Sequence, residues 1–244
     1  ADGPHSAVRR LVFGPEEQFV TALGGYNAWF SAPDPVGLDG WCLLYQEPGL
    51  NASIRPSHDP TTVKAGLAFR SLPIEYDRRD TDAQIALLRE HFAAARWHCP
   101  QLVAAAATAE DFHFDAFCQV HMTSFARDGV ALVGDAGYCA SPLSGMGTSL
   151  ALVGAYILAG ELGPANSFTA ERLSHSLVRY QELMRPYIDR CQNLANGIDG
   201  YLPKSDTDIT VTAQVMKWMQ RWPFRPFAER KWFTTADSIT LPDY

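Results

Sequence analysis

The stretch RDGVALVGDAGYCASPLSGMGTSLALVGAYILAGEL, Arg127 to Leu162, decides how this chain is read. A short apolar run, Val130 to Val133, stops at Gly134-Asp135. It passes through a loop holding Pro142, Gly145 and Gly147, and becomes a helix-period apolar segment from Thr148 to Leu162. The order strand, turn, glycine loop, helix suits an anionic or polarised ligand. Small residues let such a ligand reach the backbone, and the first helical N–H groups are unpaired and point at it. Asp135, at the carboxyl end of the strand, is placed to accept hydrogen bonds from a sugar hydroxyl. The Gly145-Met146-Gly147-Thr148 corner puts backbone N–H groups and the positive helix end where negative charge would be stabilised.

This segment resembles the second flavin-binding motif of the class A flavoprotein monooxygenases, the family of para-hydroxybenzoate hydroxylase. There a Gly-Asp after a strand precedes a Pro-x-x-Gly-x-Gly loop and a long helix, matched here by Gly134-Asp135, Pro142, Gly145 and Gly147. The opening ADGPHSAVR, with Asp2, Gly3, Ser6 and Arg9, resembles the family's Asp-Gly fingerprint, which lies close to FAD and the nicotinamide cofactor. By this resemblance Asp135 contacts the ribityl chain or ribose, and Met146 and Thr148 border the flavin pyrimidine edge. Pro142 faces the reactive side of the isoalloxazine. The implied fold is α/β: a para-hydroxybenzoate hydroxylase-like FAD/NAD(P)-binding fold, with an antiparallel-sheet substrate domain of α+β type and C-terminal helices. The implied divisions are 1–15, the end of the FAD-binding domain; 16–124, the substrate domain; 125–165, a return to the FAD-binding domain; and 166–244, a helical C-terminal region. The implied activity is hydroxylation or epoxidation of a small aromatic or polycyclic compound by FAD, NADPH or NADH, and dioxygen. The cofactor carries the oxygen chemistry, so no side chain is expected to be catalytic.

The family's G-x-G-x-x-G fingerprint, which cradles the FAD pyrophosphate upstream of the Asp-Gly motif, has no counterpart in these 244 residues. Gly24-Gly25 and Gly145-x-Gly147 do not follow the strand, three-glycine, helix pattern. The chain also begins at Ala1, without methionine, where the family has the turn after an internal strand. The expectation is the later part of a longer protein, incomplete at its N-terminus. Its rivals are one half of a split enzyme, needing a separate N-terminal flavin-binding chain as partner, and a flavin-free binding or cyclisation module on the same scaffold.

Composition narrows the classes. A formal charge of −7 without a basic cluster argues against a nucleic-acid surface. Arg221, Arg225, Arg230 and Lys231 gather among Trp218, Trp222, Phe224, Phe227, Trp232 and Phe233, but Pro223 and Pro226 would break a membrane-surface helix there. The longest apolar run, Leu150 to Leu162, is too short to span a bilayer. Five scattered cysteines without C-x-x-C spacing read as reduced thiols of a cytoplasmic protein. The seven histidines make no metal constellation, and Ser144 lies in S-G-M-G rather than the G-x-S-x-G of a hydrolase.

Phe19–Ser31, Trp41–Gln46, Ala52–Arg55 and Thr62–Arg70 read as strands, short and separated by Pro, Gly and Asp. In direct succession they should pair antiparallel. Asp82–Ala95 has helical period with Thr81 or Asp82 as cap, Gln101–Glu110 reads as a second helix, and Phe112–Ser124 as a returning strand. A long polar-faced helix from Ser167 to Leu194, a turn region and an aromatic helical segment complete the chain. Tyr26, Asn27, Trp29, Phe30 and Phe69 are the candidates to line a flat substrate cavity, with core packing as the alternative for each.

Overall fold

The computed structural model describes residues 2–163, 169–195, 197–219 and 238–244. In chain order its elements are α1 (Ala7–Val12), β1 (Val20–Pro33), β2 (Leu43–Glu47), β3 (Leu50–Pro56), β4 (Thr62–Arg70), α2 (Thr81–His91), α3 (Cys99–Ala106) and β5 (His113–Val120). There follow β6 (Ala126–Arg127), β7 (Val130–Ala131), α4 (Asp135–Tyr138), α5 (Gly147–Leu162), α6 (Ala170–Asn193) and α7 (Asp206–Met219). They make two units, one from Ala1–Ala22, Cys118–Asn196 and Met219–Tyr244, the other from Leu23–Phe117 and Gly197–Trp218. The 166–244 region is thus divided, with Gly197–Trp218 in the sheet unit.

In the sheet unit the strands lie in the order β2-β3-β4-β1-β5. The pairs β2/β3, β3/β4 and β4/β1 are antiparallel. Successive side chains of a strand face opposite ways. Tyr26, Phe30, Ile54, Leu67 and Phe69 therefore share one face, and Ile85, Leu88, Leu102 and Val103 of α2 and α3 bury it. Asp80 caps α2, accepting the Ala83 N–H at 2.9 Å, so neither Thr81 nor Asp82 is the cap. The second helix starts at Cys99 rather than Gln101, because Pro100 in the first turn gives up no bond the helix needs.

In the other unit the expected strand Val130–Val133 shrinks to β7, a two-residue partner of β6. Asp128 (φ 53) and Gly129 (φ 77) make the tight turn between them, both left-handed as such a hairpin demands. The long helix α6 packs on α5, burying Leu177, Tyr180, Met184, Tyr187 and Ile188. Gln119 and Gln192 stitch its end to the chain: Gln119 Nε2 donates to the Gln192 carbonyl at 2.8 Å, and Gln192 Nε2 to that of Val120 at 2.7 Å. The basic and aromatic cluster from Arg221 to Phe233 lies outside the described residues. No described helix is long and apolar enough to cross a membrane.

All five cysteines are free, and four are buried. Burial raises the Cys99 and Cys191 thiols from the ordinary 9.0 to about 11. Above pH 9 the unfolded chain ionises these thiols while the folded one keeps them protonated. Their stabilising contribution is therefore whole below pH 9 and is lost as pH rises towards 11. The melting temperature should be flat up to about pH 9 and fall beyond it. Cys99→Ala should lessen the slope between about pH 9 and 10, and an unaltered slope would contradict this account.

Candidate functional site

After β7 the chain reaches Gly134 at φ 67, ψ −143, a conformation closed to ordinary side chains. A Cβ here would also lie 3.3 Å from that of Ala151 on α5. Glycine thus lets the strand end pass close over the helix and leaves Asp135 exposed at the start of α4. The carboxylate lies beside Gly147: a Cβ built there would meet Asp135 Oδ1 at 3.9 Å and nothing else within 4 Å. Gly145 turns left-handed (φ 65, ψ 7) and borders open space. No side chain caps the N-terminus of α5. Pro142, Gly145 and Thr148 are exposed here, whereas the Met146 side chain is buried in the core and leaves only its backbone for a ligand. The corner therefore joins an exposed carboxylate, a bare glycine surface and uncapped helical N–H groups, an arrangement suited to hydroxyl and anionic groups together.

The opening segment is tied to this corner by Arg9. Its side chain is fully buried; Nη1 donates to the Ala136 carbonyl at 2.9 Å and Nη2 to that of Pro4. Burial lowers the Arg9 pKa, and Glu16, 3.7 Å away, opposes that shift. Ser6 caps α1 by accepting the Arg9 N–H at 2.9 Å. Asp2 accepts the Ala7 and Val8 N–H groups at 2.8 and 3.3 Å. Burial works against the Asp2 charge, but hydrogen bonds from Ser6, Val8 and Ala7 outweigh it and hold the carboxyl below its usual range. Gly3 (φ +82) borders open space, with no atom within 4 Å of where a Cβ would lie. Arg9 is thus a positioning residue, holding the Asp2-Gly3 turn against α4.

The five sheet residues separate by face. Tyr26 stacks between Phe69 and Phe114 at 5.6 and 5.7 Å, Phe69 lies 3.8 Å from the His91 ring, and Phe30 is 1% exposed. These three belong to the core beneath α2 and α3 instead of lining a cavity, because alternation sends them to the helix-covered face. Asn27 and Trp29 point the other way. Asn27 is buried, its Nδ2 donating to the Asp115 carbonyl at 3.2 Å. Trp29 is half-buried, with the Arg55 guanidinium 4.9 Å from its ring centroid. Among the described residues no three His, Cys, Asp or Glu side chains gather as metal ligands.

No family model matches the chain. Over 215 residues it is 41% identical to a flavin-dependent monooxygenase of Legionella longbeachae, covering 88% of this chain and 54% of that protein. It is 50% identical over 165 residues to an uncharacterised protein of Mycobacterium tuberculosis, covering 68% of this chain and 44% of the relative. The crystal structure of the tetracycline destructase Tet(51) matches with a TM-score of 0.78 at 31% identity, over 100% of this chain and 61% of the other. The fold is that of the flavin-dependent monooxygenases. The chain spans about half the length of the relatives it matches.

Within this fold the sequence pattern passed over Ser141. It is buried at φ 70, ψ 147, a region that all but glycine avoid. Ser144 Oγ holds it by donating to the Ser141 carbonyl at 2.8 Å and accepting the Met146 N–H at 3.1 Å. The Ser-x-x-Ser spacing was the available signal, since serine hydroxyls commonly bond backbone a few residues away.

Proposed function

We propose that this chain is the later portion of an FAD-dependent monooxygenase that hydroxylates or epoxidises a small aromatic or polycyclic compound, using NADPH or NADH and dioxygen. The observation that carries the reading is the exposed Asp135 carboxylate beside the bare surface of Gly147 at the uncapped start of α5. These residues fit FAD: Asp135 would hold ribityl or ribose hydroxyls, and the α5 N–H groups would stabilise negative charge at the flavin ring. Bound FAD would supply hydride acceptance from the nicotinamide and activation of oxygen. Arg9 keeps Asp2 and Gly3 in place against α4, and Trp29 offers a flat apolar surface to a planar substrate. The similarity to Tet(51) makes tetracycline the first substrate to assay.

In the complete protein, Asp135→Ala should weaken FAD binding about ten- to a hundred-fold, the worth of a hydrogen bond to a charged acceptor of about 1.5–3 kcal/mol. Equal flavin retention by both proteins on dilution would count against the role. The rival readings are a split half whose pyrophosphate cradle lies on another chain, and a flavin-free module. Visible spectra separate these. Flavin absorbance appearing only after an upstream segment is added marks the portion or split half, and none in either case marks the flavin-free module.

A further inference from the structure

On the sheet face opposite the helices, Trp29, Gly66 and Ser53 stand in register across β1, β4 and β3. A Cβ on Gly66 would lie 2.5 Å from Trp29 Cζ3 and 2.6 Å from Ser53 Oγ. The missing side chain is what lets the indole lie flat across the sheet. Arg55, two residues beyond Ser53 on the same face, places its guanidinium 4.9 Å from the centre of that indole. Its cross-strand neighbour is Lys64, whose charge is already matched by Asp111 at 2.6 Å. Arg55 has no such match: among the described residues no carboxylate pairs with it. Tyr201 lies near Ser53 and Arg55 and packs edge-on against Phe117 at 5.7 Å. Its backbone is pinned over this face by Gln46 and Asn51, both of which donate to the Tyr201 carbonyl, at 3.0 and 2.9 Å. Burial raises the Tyr201 pKa, with Ser53 and the Arg55 cation acting against it.

An exposed arginine ordinarily samples many rotamers. This one rests on an aromatic platform, with a half-buried phenol as neighbour and its charge unspent. A planar guanidinium so held is preorganised to donate to an ionised oxygen, while the indole edge and Tyr201 accept the flat body that carries it. We propose that Arg55, steadied by Trp29, binds the ionised ring oxygen, a phenolate or enolate, of a planar substrate. This deepens the monooxygenase reading and rests on taking this sheet face as a substrate wall.

The test uses two probes of one shape and different charge. 2-Hydroxy-1,4-naphthoquinone has an enol that is ionised at neutral pH, and its methyl ether 2-methoxy-1,4-naphthoquinone is neutral. Equilibrium dialysis of the full chain should show the anion bound about tenfold or more tighter than the ether. Arg55→Gln should abolish that preference by weakening the anion alone, and raising the salt concentration should weaken the anion more than the ether. Equal affinities in the parent protein, a preference that survives Arg55→Gln, or binding of neither probe would each overturn the proposal. The flavin reading fails separately: protein that takes up no FAD even after an upstream segment is added, but still prefers the anion, supports this subsite and refutes the monooxygenase.

Discussion

Arg9→Met should destabilise the unit that holds the glycine corner by about 1–4 kcal/mol. Methionine approximates the length and volume of the aliphatic stem, so the loss is that of the guanidinium's donors. The Ala136 carbonyl would then lack its partner in the interior and the Pro4 carbonyl in a part-buried position; a buried unsatisfied group costs about 1–3 kcal/mol and a part-buried one less. Glu16 is part-exposed and already bonds His5 at 2.8 Å, so its carboxylate is not left buried and alone. Urea denaturation should show a lower midpoint with an unchanged slope. Because the same bonds hold Asp2 and Gly3 against α4, any flavin affinity of the complete protein should fall as well. Wild-type stability in the methionine variant would show that water replaces the guanidinium, and the positioning role would go with it.

The second large effect is expected at Gly154. A Cβ there would lie 1.9 Å from the Tyr138 hydroxyl and 3.4 Å from Met184 Cε. That hydroxyl has nowhere to retreat. It bonds Tyr180 Oη at 2.9 Å, and Tyr180 in turn donates to the Leu132 carbonyl at 2.9 Å, with both rings buried. Burial also raises both phenol pKa values, so the pair stays protonated at neutral pH. Gly154→Ala should therefore cost about 1–3 kcal/mol or more through overpacking, outweighing the helix-propensity gain of about 1 kcal/mol. Tyr138→Phe removes the clashing oxygen, leaving the nearest ring carbon 3.2 Å from the new methyl. The double variant should be more stable than Gly154→Ala alone, and a double-mutant cycle would measure that coupling. Additive losses would mean that the helix moves away from the tyrosine rather than the tyrosine from the helix.

The elements most legible in the sequence are those whose signals are local. The apolar helix after Gly147 and the β4 strand each carry their cause within a few residues: helical periodicity, or branched residues bounded by turn formers. The Gly134-Asp135 and Pro142-x-x-Gly145-x-Gly147 pattern was equally plain, because close approach of backbone to ligand demands glycine at set spacings. Element ends were less legible. Val130–Val133 reads like a strand, yet strand length depends on what lies alongside, and among the described residues only Ala126–Arg127 pairs with it.

Sequence by itself determined most of the longer elements, the antiparallel sheet and the candidate corner. It also showed that residues of β1 alternate, but not which face the helices would cover. Tertiary structure decided that Tyr26, Phe30 and Phe69 go to the core while Trp29 faces away, because burial is set by α2 and α3, which arrive later in the chain. It likewise decided that Arg9, which the motif placed near a cofactor, spends its donors on Ala136 and Pro4. It brought Tyr201 to Ser53 and Arg55 from far along the chain, its carbonyl bonded by Asn51 across a separation of 150 residues. The physical reason is the same in each case: a residue's chemistry is local, whereas its desolvation and its hydrogen-bond partners belong to whatever the fold packs against it.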